Sequence, residues 1–452
     1  MDWKERQSHP TRTMKFYCDK QELKKKSKDE LVDELYDSLF EIERLRRELR
    51  KYKNSNTPPS MHPFLRPAVH PVLRHRRGAP DGHAGVTKPR REPHEKRHIL
   101  GESCPNCHSK DIAVLGQRRQ QQEEMPPEIQ PVVVDVIRDV CKCNTCNLKF
   151  LARDGITPVQ GRFGVNLMVL VIFLKFIVRS VLRKTTHFLD ASFAVKLAPA
   201  SVQAIIQRAA CAGDAEYAAL KVKIKEARLL YIDETSFRVL GRNWWVWAFR
   251  SDTDLLLVIR NSRGNNVLEE IIGKDYRGIV VCDCWRAYDF LSNAMLQRCW
   301  AHLLRKSAEL KGVPEMHFHK KLSELFEQIV KFNSKERSKN YRLRKYAQLT
   351  ATLQKTITYY SRYEGCQAVV KYIDFHLESW FTCIKIAGVQ PTNNYAEQAI
   401  RETVLVRKII GAFRSEKGTK NYETLASLIA TWQYQKLDIK KELNRMLSTN
   451  LC

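Results

Sequence analysis

The sequence lacks an apolar run long enough to cross a membrane, and its start does not look like a secretion signal. The most apolar stretch, residues 165–178, contains Asn166 and Lys175 and is shorter than the roughly 20 residues that span a bilayer. The first 20 residues are polar and charged, unlike the apolar centre of a signal peptide. We therefore predict a cytoplasmic protein without a membrane partner, in which residues 165–178 form a buried core helix.

Acidic residues are scarce relative to basic ones. The chain of 452 residues has 50 Asp and Glu against 77 Lys and Arg, a formal net charge of +27. This excess favours a polyanionic partner, most simply nucleic acid; the alternative is a basic tail that only aids solubility. Because no secretion signal accompanies the 13 cysteines, reduced thiols or metal ligands are expected instead of disulfides.

The first hundred residues predict a helix and then a basic linker. Residues 29–53 carry a seam of about three heptads, which fits a short coiled coil, and hence a homo-oligomer, or equally a helix packed on its own chain. Residues 54–60 end the helix, and residues 61–98 are rich in Pro, His, Arg and Gly, with too few apolar residues for a core. The seam residues are Leu31, Leu35, Ser38, Ile42, Leu45, Leu49 and Tyr52.

Two Cys-x-x-Cys pairs follow the linker. Four thiolates at such spacing are the ligands of structural zinc, whereas a redox dithiol would need only one pair. Cys141 and His108 are substitute ligands. The pairs are Cys104 with Cys107 and Cys143 with Cys146.

Residues 163–213 predict helices. Ser201 is a candidate N-cap for a helix over 202–210. Two helices around a short turn fit either a helix-turn-helix that contacts DNA or a helical hairpin that binds nothing.

The period changes at Leu229. Four short runs rich in β-branched and aromatic residues predict strands, and the first three are expected to form an antiparallel meander. A short helix over 265–272 leads to the fourth strand, and residues 297–300 are a candidate fifth strand. The order β-β-β-α-β-α-β is that of the ribonuclease-H-like fold. The four runs are residues 229–239, 244–250, 255–260 and 278–283.

Three acidic residues stand out against this pattern. Asp233 lies inside the apolar first strand, where an acid is costly to bury unless it is paired or binds metal. Asp283 ends the fourth strand, and Glu397 is near the start of a helix that Asn393 or Asn394 would cap. Clustered carboxylates can hold two Mg²⁺ ions for phosphodiester chemistry. Taken singly, an Asp at a strand end is usually a turn residue, and a Glu near a helix start usually only favours the helix dipole. Glu234 is expected on the opposite face of the strand, and Asp275 and Asp289 are rivals for the second acid.

Several blocks resemble the insertion-sequence 66 family of DDE transposases. The resemblance covers most of the chain in order, although Pro80-Asp81-Gly82 departs from the usual Gln-Pro-Gly. It implies that Asp233, Asp283 and Glu397 are the catalytic triad, that Mg²⁺ or Mn²⁺ is required as two ions, and that the partners are double-stranded transposon-end and target DNA in a prokaryotic, nucleoid-associated setting. The blocks are residues 231–235, 283–288, 299–302 and 393–401, with 54–60 and 78–85 nearer the N-terminus.

Other side chains near these blocks are candidates for supporting roles. Arg401, one turn after Glu397, is expected to hold that carboxylate or a DNA phosphate, or to form an ordinary ion pair. His302 is placed at the end of the fifth strand, where it positions DNA or water or is a packed core histidine. Further candidates are Arg407, Lys408 and Arg414 for DNA, and Trp244, Trp245 and Trp247 for base stacking or, more simply, core packing.

Together these observations predict a multidomain α+β protein: a ribonuclease-H-like catalytic core with a helical insertion, preceded by a coiled-coil helix, a zinc-binding module and a helical domain. The expected activity is Mg²⁺-dependent DNA cleavage and strand transfer. The alternatives are a zinc-containing DNA-binding regulator without catalysis and a nuclease without strand transfer. Expected boundaries are 1–53 (coiled coil), 54–100 (linker), 101–150 (zinc module), 151–225 (helical, candidate DNA-binding domain), 226–302 (core, first part), 303–385 (insertion), 386–436 (core, second part) and 437–452 (C-terminal tail).

Overall fold

The computed structural model describes residues 129–451 without a gap and, before them, residues 27, 31, 92, 95, 96, 98, 99, 103, 105–111, 113 and 115–120. Nearly all of the predicted coiled coil, most of the linker and Cys104 lie outside the described residues. The chain divides into two compact units, residues 1–122 and 123–452. In the described part, no helix is both long and apolar enough to cross a membrane.

The second unit begins with a hairpin and three helices. Strands β1 (Val140–Lys142) and β2 (Lys149–Leu151) pair antiparallel, and helices α1 (Val165–Phe176), α2 (Leu182–Phe193) and α3 (Pro199–Glu226) follow. The N-cap of α3 is Ala198 and not the predicted Ser201, because a proline, which lacks an amide hydrogen, suits the first helical position.

A mixed sheet forms the centre of this unit. Its strands are β3 (Leu229–Val239), β4 (Arg242–Arg250), β5 (Leu255–Arg260), β6 (Ile279–Cys282) and β7 (Met295–Arg298), in the spatial order β5-β4-β3-β6-β7. The predicted antiparallel meander is confirmed for β3, β4 and β5, while β6 pairs parallel with β3 and with β7. Helix α4 (Asn265–Ile271) precedes β6. A 3₁₀ turn, Arg286–Phe290, stands where a second helix was expected between β6 and β7.

Helices cover both faces of the sheet. Leu230 and Ile232 of β3 pack into one apolar cluster with α1, α3 and α4, whereas Tyr231 and Phe237 pack into clusters on the other side. Successive side chains of a strand point to opposite faces, so β3 is buried on both. The second face is covered by α10 (Asn394–Ile410) and by the insertion: α5 (Trp300–Ala308), α6 (Val313–Asn333), α7 (Lys339–Tyr360), α8 (Gln367–Asp374) and α9 (Thr382–Lys385).

The outer edge of β5 is closed by side chains of a helix. Helix α11 (Glu416–Tyr434) presents Thr431, Ser427 and Glu423 at four-residue spacing, and these accept hydrogen bonds from the backbone N–H groups of Leu255, Leu257 and Ile259. An open edge with unpaired N–H groups is a site of aggregation. Polar residues in α11 therefore complete the sheet.

The C-terminal region is more ordered than its sequence indicated. The helical region predicted over 395–432 is interrupted at Gly411, which has a positive φ of 71°. The short strand β8 (Ala412–Phe413) follows it and lies beside β3. Glycine adopts this backbone region without steric cost. The predicted C-terminal tail contains helix α12 (Ile439–Leu451), with Leu443, Met446 and Leu447 buried.

Candidate active site

Asp233 lies in the middle of the central strand. Tyr231, two residues earlier, packs against Tyr395 of α10, with ring centroids 4.8 Å apart and ring planes inclined by 55°. Because strand side chains alternate, Asp233 shares that face with Tyr231 and projects toward the N-terminal end of α10. Its placement agrees with the prediction of an acid within an apolar strand.

Asp283 follows β6 directly and lies level with Asp233. The parallel register pairs Tyr231 with Val281, so two residues further along, Asp233 stands beside Asp283 on the neighbouring strand, where backbones are about 4.8 Å apart. Of the rival acids, Asp275 is exposed and precedes β6 at its opposite end. Asp289 instead accepts a hydrogen bond from Arg298.

Glu397 stands in the first turn of α10, and that turn is tied to β3. Asn393 is the N-cap residue, but its side chain does not cap the helix. It is fully buried, and its Nδ2 donates to the carbonyl of Ile232 at 2.7 Å. This bond joins the start of the Glu397 helix to the residue preceding Asp233.

The three carboxylates influence one another electrostatically. The pKa of Asp233 is raised well above its usual value, first by burial and then by the negative charges of Glu234, Asp283 and Glu397. Each of these carboxylates is therefore close enough to disfavour ionisation of Asp233. Such a concentration of like charge is the environment that a divalent cation relieves.

Glu234 occupies the opposite face, as its strand position predicts, in a closed network. Its two oxygens accept hydrogen bonds from Arg263 Nε (2.9 Å) and from the Tyr288 hydroxyl (2.7 Å). The Arg263 guanidinium lies 4.8 Å from the Trp245 ring and 4.3 Å from that of Trp285. Trp285 is 40% exposed, so the network holds an accessible aromatic ring two residues from Asp283.

His302 lies in the first turn of α5 and not at the end of a strand, because β7 ends at Arg298. Its Nδ1 is 3.9 Å from Glu397 Oε1. Arg305, one turn later, places Nη2 3.2 Å from both Glu397 Oε1 and His302 Nε2. Burial, followed by the charge of Arg305, lowers the pKa of His302. Sequence reasoning missed Arg305, although its spacing of three from His302 on one helix was visible.

Buried Arg298 at the end of β7 supports the loop that carries Asp283. Its Nη1 donates to the Asp283 carbonyl oxygen at 2.6 Å, and its Nη2 donates to Asp289. The side chain is entirely inaccessible to solvent. The backbone position of Asp283 therefore depends on a cation contributed by the neighbouring strand.

The other predicted residues differ in their exposure to solvent. Arg401, Lys408 and Arg414 are exposed, and Arg401 forms no ion pair with Glu397. Arg407 is half-buried and donates to Thr235 and Ser236 of β3. Among the tryptophans, Trp247 is a core residue that packs against Phe249 and Tyr288, whereas Trp244 and Trp245 are half-buried.

The two cysteine pairs share a local backbone feature. The residue directly after each pair has a positive φ, 58° at His108 and 59° at Asn147. In the second pair, backbone N–H groups of Cys146 and Thr145 donate to the Cys143 sulfur and lower the pKa of its thiol to about 7. Cys107, Cys143 and Cys146 are free thiols, and Cys104 lies outside the described residues.

Comparison with known proteins identifies the family. The family model described as "Transposase IS66 family" matches residues 160–421, more than half of the chain. The chain is also similar to the uncharacterized protein y4hP of Sinorhizobium fredii, with 22% identity over 415 residues, which are 80% of this chain and 74% of the relative. The matched region contains Asp233, Asp283 and Glu397 together with the whole sheet. The chain therefore belongs to the IS66 family of transposases.

Proposed function

We propose that this protein cuts DNA at transposon ends and joins the freed ends to target DNA, and that Asp233, Asp283 and Glu397 hold the divalent ions for both steps. The single observation that carries the proposal is the meeting of the three acids: the parallel register sets Asp283 beside Asp233, and the first turn of the Glu397 helix is tied to the residue preceding Asp233. Phosphodiester transfer by two metal ions requires such a convergence of carboxylates.

The strand arrangement supports a ribonuclease-H-like core. Numbered in chain order, the five main strands lie in the order 3-2-1-4-5, with the second antiparallel to both its neighbours and the last two parallel to the first. This arrangement brings the middle of the first strand next to the end of the fourth. The insertion of α5–α9 separates the fifth strand from the helix that carries Glu397.

The residues present fit Mg²⁺ or Mn²⁺. Carboxylate oxygens are the ligands that these hard cations prefer, and Asp233 supplies them from a strand, Asp283 from the residue after a neighbouring strand, and Glu397 from a helix. When bound, the ions activate the attacking oxygen and neutralise charge on the leaving oxygen. Asp233 would contribute to holding both ions, and Asp283 and Glu397 would supply the remaining protein ligands.

The proposed reaction has two balanced steps. In cleavage, a water oxygen bonds to phosphorus, and the 3′ oxygen leaves with a proton. In strand transfer, that 3′-hydroxyl attacks a phosphodiester of the target, and the displaced target oxygen takes the proton. The exposed cations Arg401, Lys408 and Arg414 would bind backbone phosphates, which supply most of the affinity of such complexes. Arg407 would support this surface from its contacts on β3.

We further propose that Cys143 and Cys146 are ligands of a structural zinc ion, as the Cys-x-x-Cys spacing predicts. A thiol pKa of about 7 at Cys143 favours the thiolate, which is the form that binds metal. We expect Cys143→Ser to lower the zinc content by one ion per chain, while Cys211→Ser, at an exposed cysteine on α3, leaves it unchanged. Elemental analysis of both purified variants measures this, and an equal zinc content in Cys143→Ser and the wild type would refute the assignment.

The test of the activity uses the whole protein, Mg²⁺ and linear DNA in which flanking sequence continues beyond each of the element's own terminal sequences. We expect nicks at the element boundary and, when a supercoiled plasmid is added, covalent joining of the 3′ ends to that plasmid. Binding without cleavage would favour a DNA-binding regulator. Cleavage without joined product would favour a nuclease.

A further inference from the structure

A group of soft and hard metal ligands lies beside the three carboxylates. Cys299, His302 and Glu397 each offer one ligand atom, and these atoms lie within 4.8 Å of one another. Thiolate, imidazole and carboxylate are the ligands of zinc, which binds sulfur at about 2.3 Å and nitrogen at about 2.0–2.1 Å. A small contraction of the group would therefore form a three-ligand centre with one open position.

Two of the ligands are fixed by the backbone. Cys299 is the N-cap residue of α5 and His302 is in its first turn, so both project from one helix end. The Cys299 sulfur accepts a hydrogen bond from the backbone N–H of Asn393 at 3.2 Å, which holds it against the start of the Glu397 helix. The group thus spans two helices whose relative position is already set.

The hydrogen bonds of His302 leave one ring nitrogen unsatisfied. Arginine only donates, so Nε2 accepts from Arg305, and Nδ1 carries the ring proton in this arrangement. Nδ1 is buried and has no hydrogen-bond partner, a costly state for a polar atom. A metal ion at Nδ1 would remove this cost, with the ring proton moved to Nε2.

Arg305 contacts two members of this group. Its Nη2 contacts Glu397 Oε1 and His302 Nε2, and its side chain is about one-third exposed. Because a protonated Nε2 would face the guanidinium as a second donor, Arg305 must swing into solvent when a metal binds. Arg305 therefore competes with the metal for Glu397.

We propose that Cys299, His302 and Glu397 form a zinc site that withdraws Glu397 from the magnesium ions and thereby inhibits DNA cleavage. The zinc site stands on the geometry alone, while the inhibition rests on the proposed function. On binding, the Cys299 thiol releases its proton to solvent as the sulfur–zinc bond forms.

Zinc content and cobalt spectra test the site without any activity measurement. We expect Cys299→Ser to contain one zinc ion fewer per chain than the wild type at saturating zinc, and Cys211→Ser to equal the wild type. Cobalt-substituted wild type should show thiolate-to-cobalt absorption that is reduced in Cys299→Ser and, separately, in Cys143→Ser. Equal zinc content in Cys299→Ser and the wild type would overturn the proposal.

A variant that binds zinc more tightly would show that the loss of zinc in Cys299→Ser is not caused by misfolding. Arg305→Gln removes the competing cation, so we expect it to bind zinc roughly tenfold more tightly, since a unit charge a few ångströms away contributes on this scale. Unchanged zinc affinity in Arg305→Gln would overturn the competition with Arg305.

If Mg²⁺-dependent cleavage is observed, micromolar zinc should inhibit the wild type more than Cys299→Ser. If neither the wild type nor Cys299→Ser cleaves DNA, but the zinc contents and affinities are as expected, the zinc site stands and only the proposed function is refuted.

Discussion

Asp233→Asn, Asp283→Asn and Glu397→Gln should each lower the rate of Mg²⁺-dependent cleavage of transposon-end DNA on the order of a thousand-fold or more. Each substitution keeps the side-chain shape but removes a charged metal ligand, and metal ions contribute several kcal/mol of transition-state stabilisation to this chemistry. Single-turnover cleavage of labelled end DNA measures the effect.

The matched control is Asp275→Asn. Asp275 is exposed at the opposite end of the strand that leads to Asp283, so its substitution should leave the rate unchanged. Loss of cleavage in Asp275→Asn together with retained cleavage in Asp283→Asn would show that the second acid is assigned wrongly.

The unfolding temperature of Asp233→Asn shows whether a loss of cleavage in this variant comes from lost catalysis or from a lost fold. The pKa of Asp233 is raised in the folded chain from an ordinary value of 3.8, so above that pH the folded state holds a proton that the unfolded state releases. The free energy of unfolding of the metal-free wild type therefore falls as pH rises from 3.8 toward the raised pKa. At neutral pH in EDTA, Asp233→Asn should unfold at a higher temperature, by roughly 2–4 °C for each kcal/mol gained. Mg²⁺ should reduce the difference, because it binds the folded wild type.

Arg298→Met should destabilise the fold by about 3 kcal/mol, the scale for removing one partner of a buried charged contact. The guanidinium is inaccessible to solvent and donates a hydrogen bond to the Asp283 carbonyl oxygen. Methionine has no such donor, so this carbonyl would lose its hydrogen bond. A loss of this size lowers the unfolding temperature by roughly 6–12 °C. Differential scanning calorimetry checks this.

The control for Arg298 is Asp289→Asn. Asparagine retains an acceptor for Arg298 Nη2, and Asp289 is about one-third exposed, so the loss should stay below about 1 kcal/mol. An equal loss in the two variants would mean that the ion pair, and not the bond to the Asp283 carbonyl, stabilises this loop. Wild-type stability in Arg298→Met would contradict the assigned role of the arginine.

Local patterns predicted most of the secondary structure. The first and third strands end where the alternation of side chains and the intervening polar turns indicated, at residues 229–239 and 255–260. The fifth strand was placed two residues late, at 297–300 instead of 295–298. Residues 297–302 show no clear alternation, with Cys299, Trp300 and Ala301 following polar Gln297 and Arg298, and therefore fit a strand or a helix. The backbone contact of Trp300 with Pro391 is not visible in the sequence.

The sequence by itself determined that an acid lies inside an apolar strand, that a second ends another strand, and that a third opens a helix. These features follow from local periodicity and from the cost of burying a charge. Only the tertiary structure decided that Asp283 and not Asp275 or Asp289 stands beside Asp233, because strand register depends on pairing between distant segments. It also decided that Arg305 contacts Glu397, because these two residues lie on different helices, 92 positions apart in the chain, and meet only after both helices have packed against the sheet.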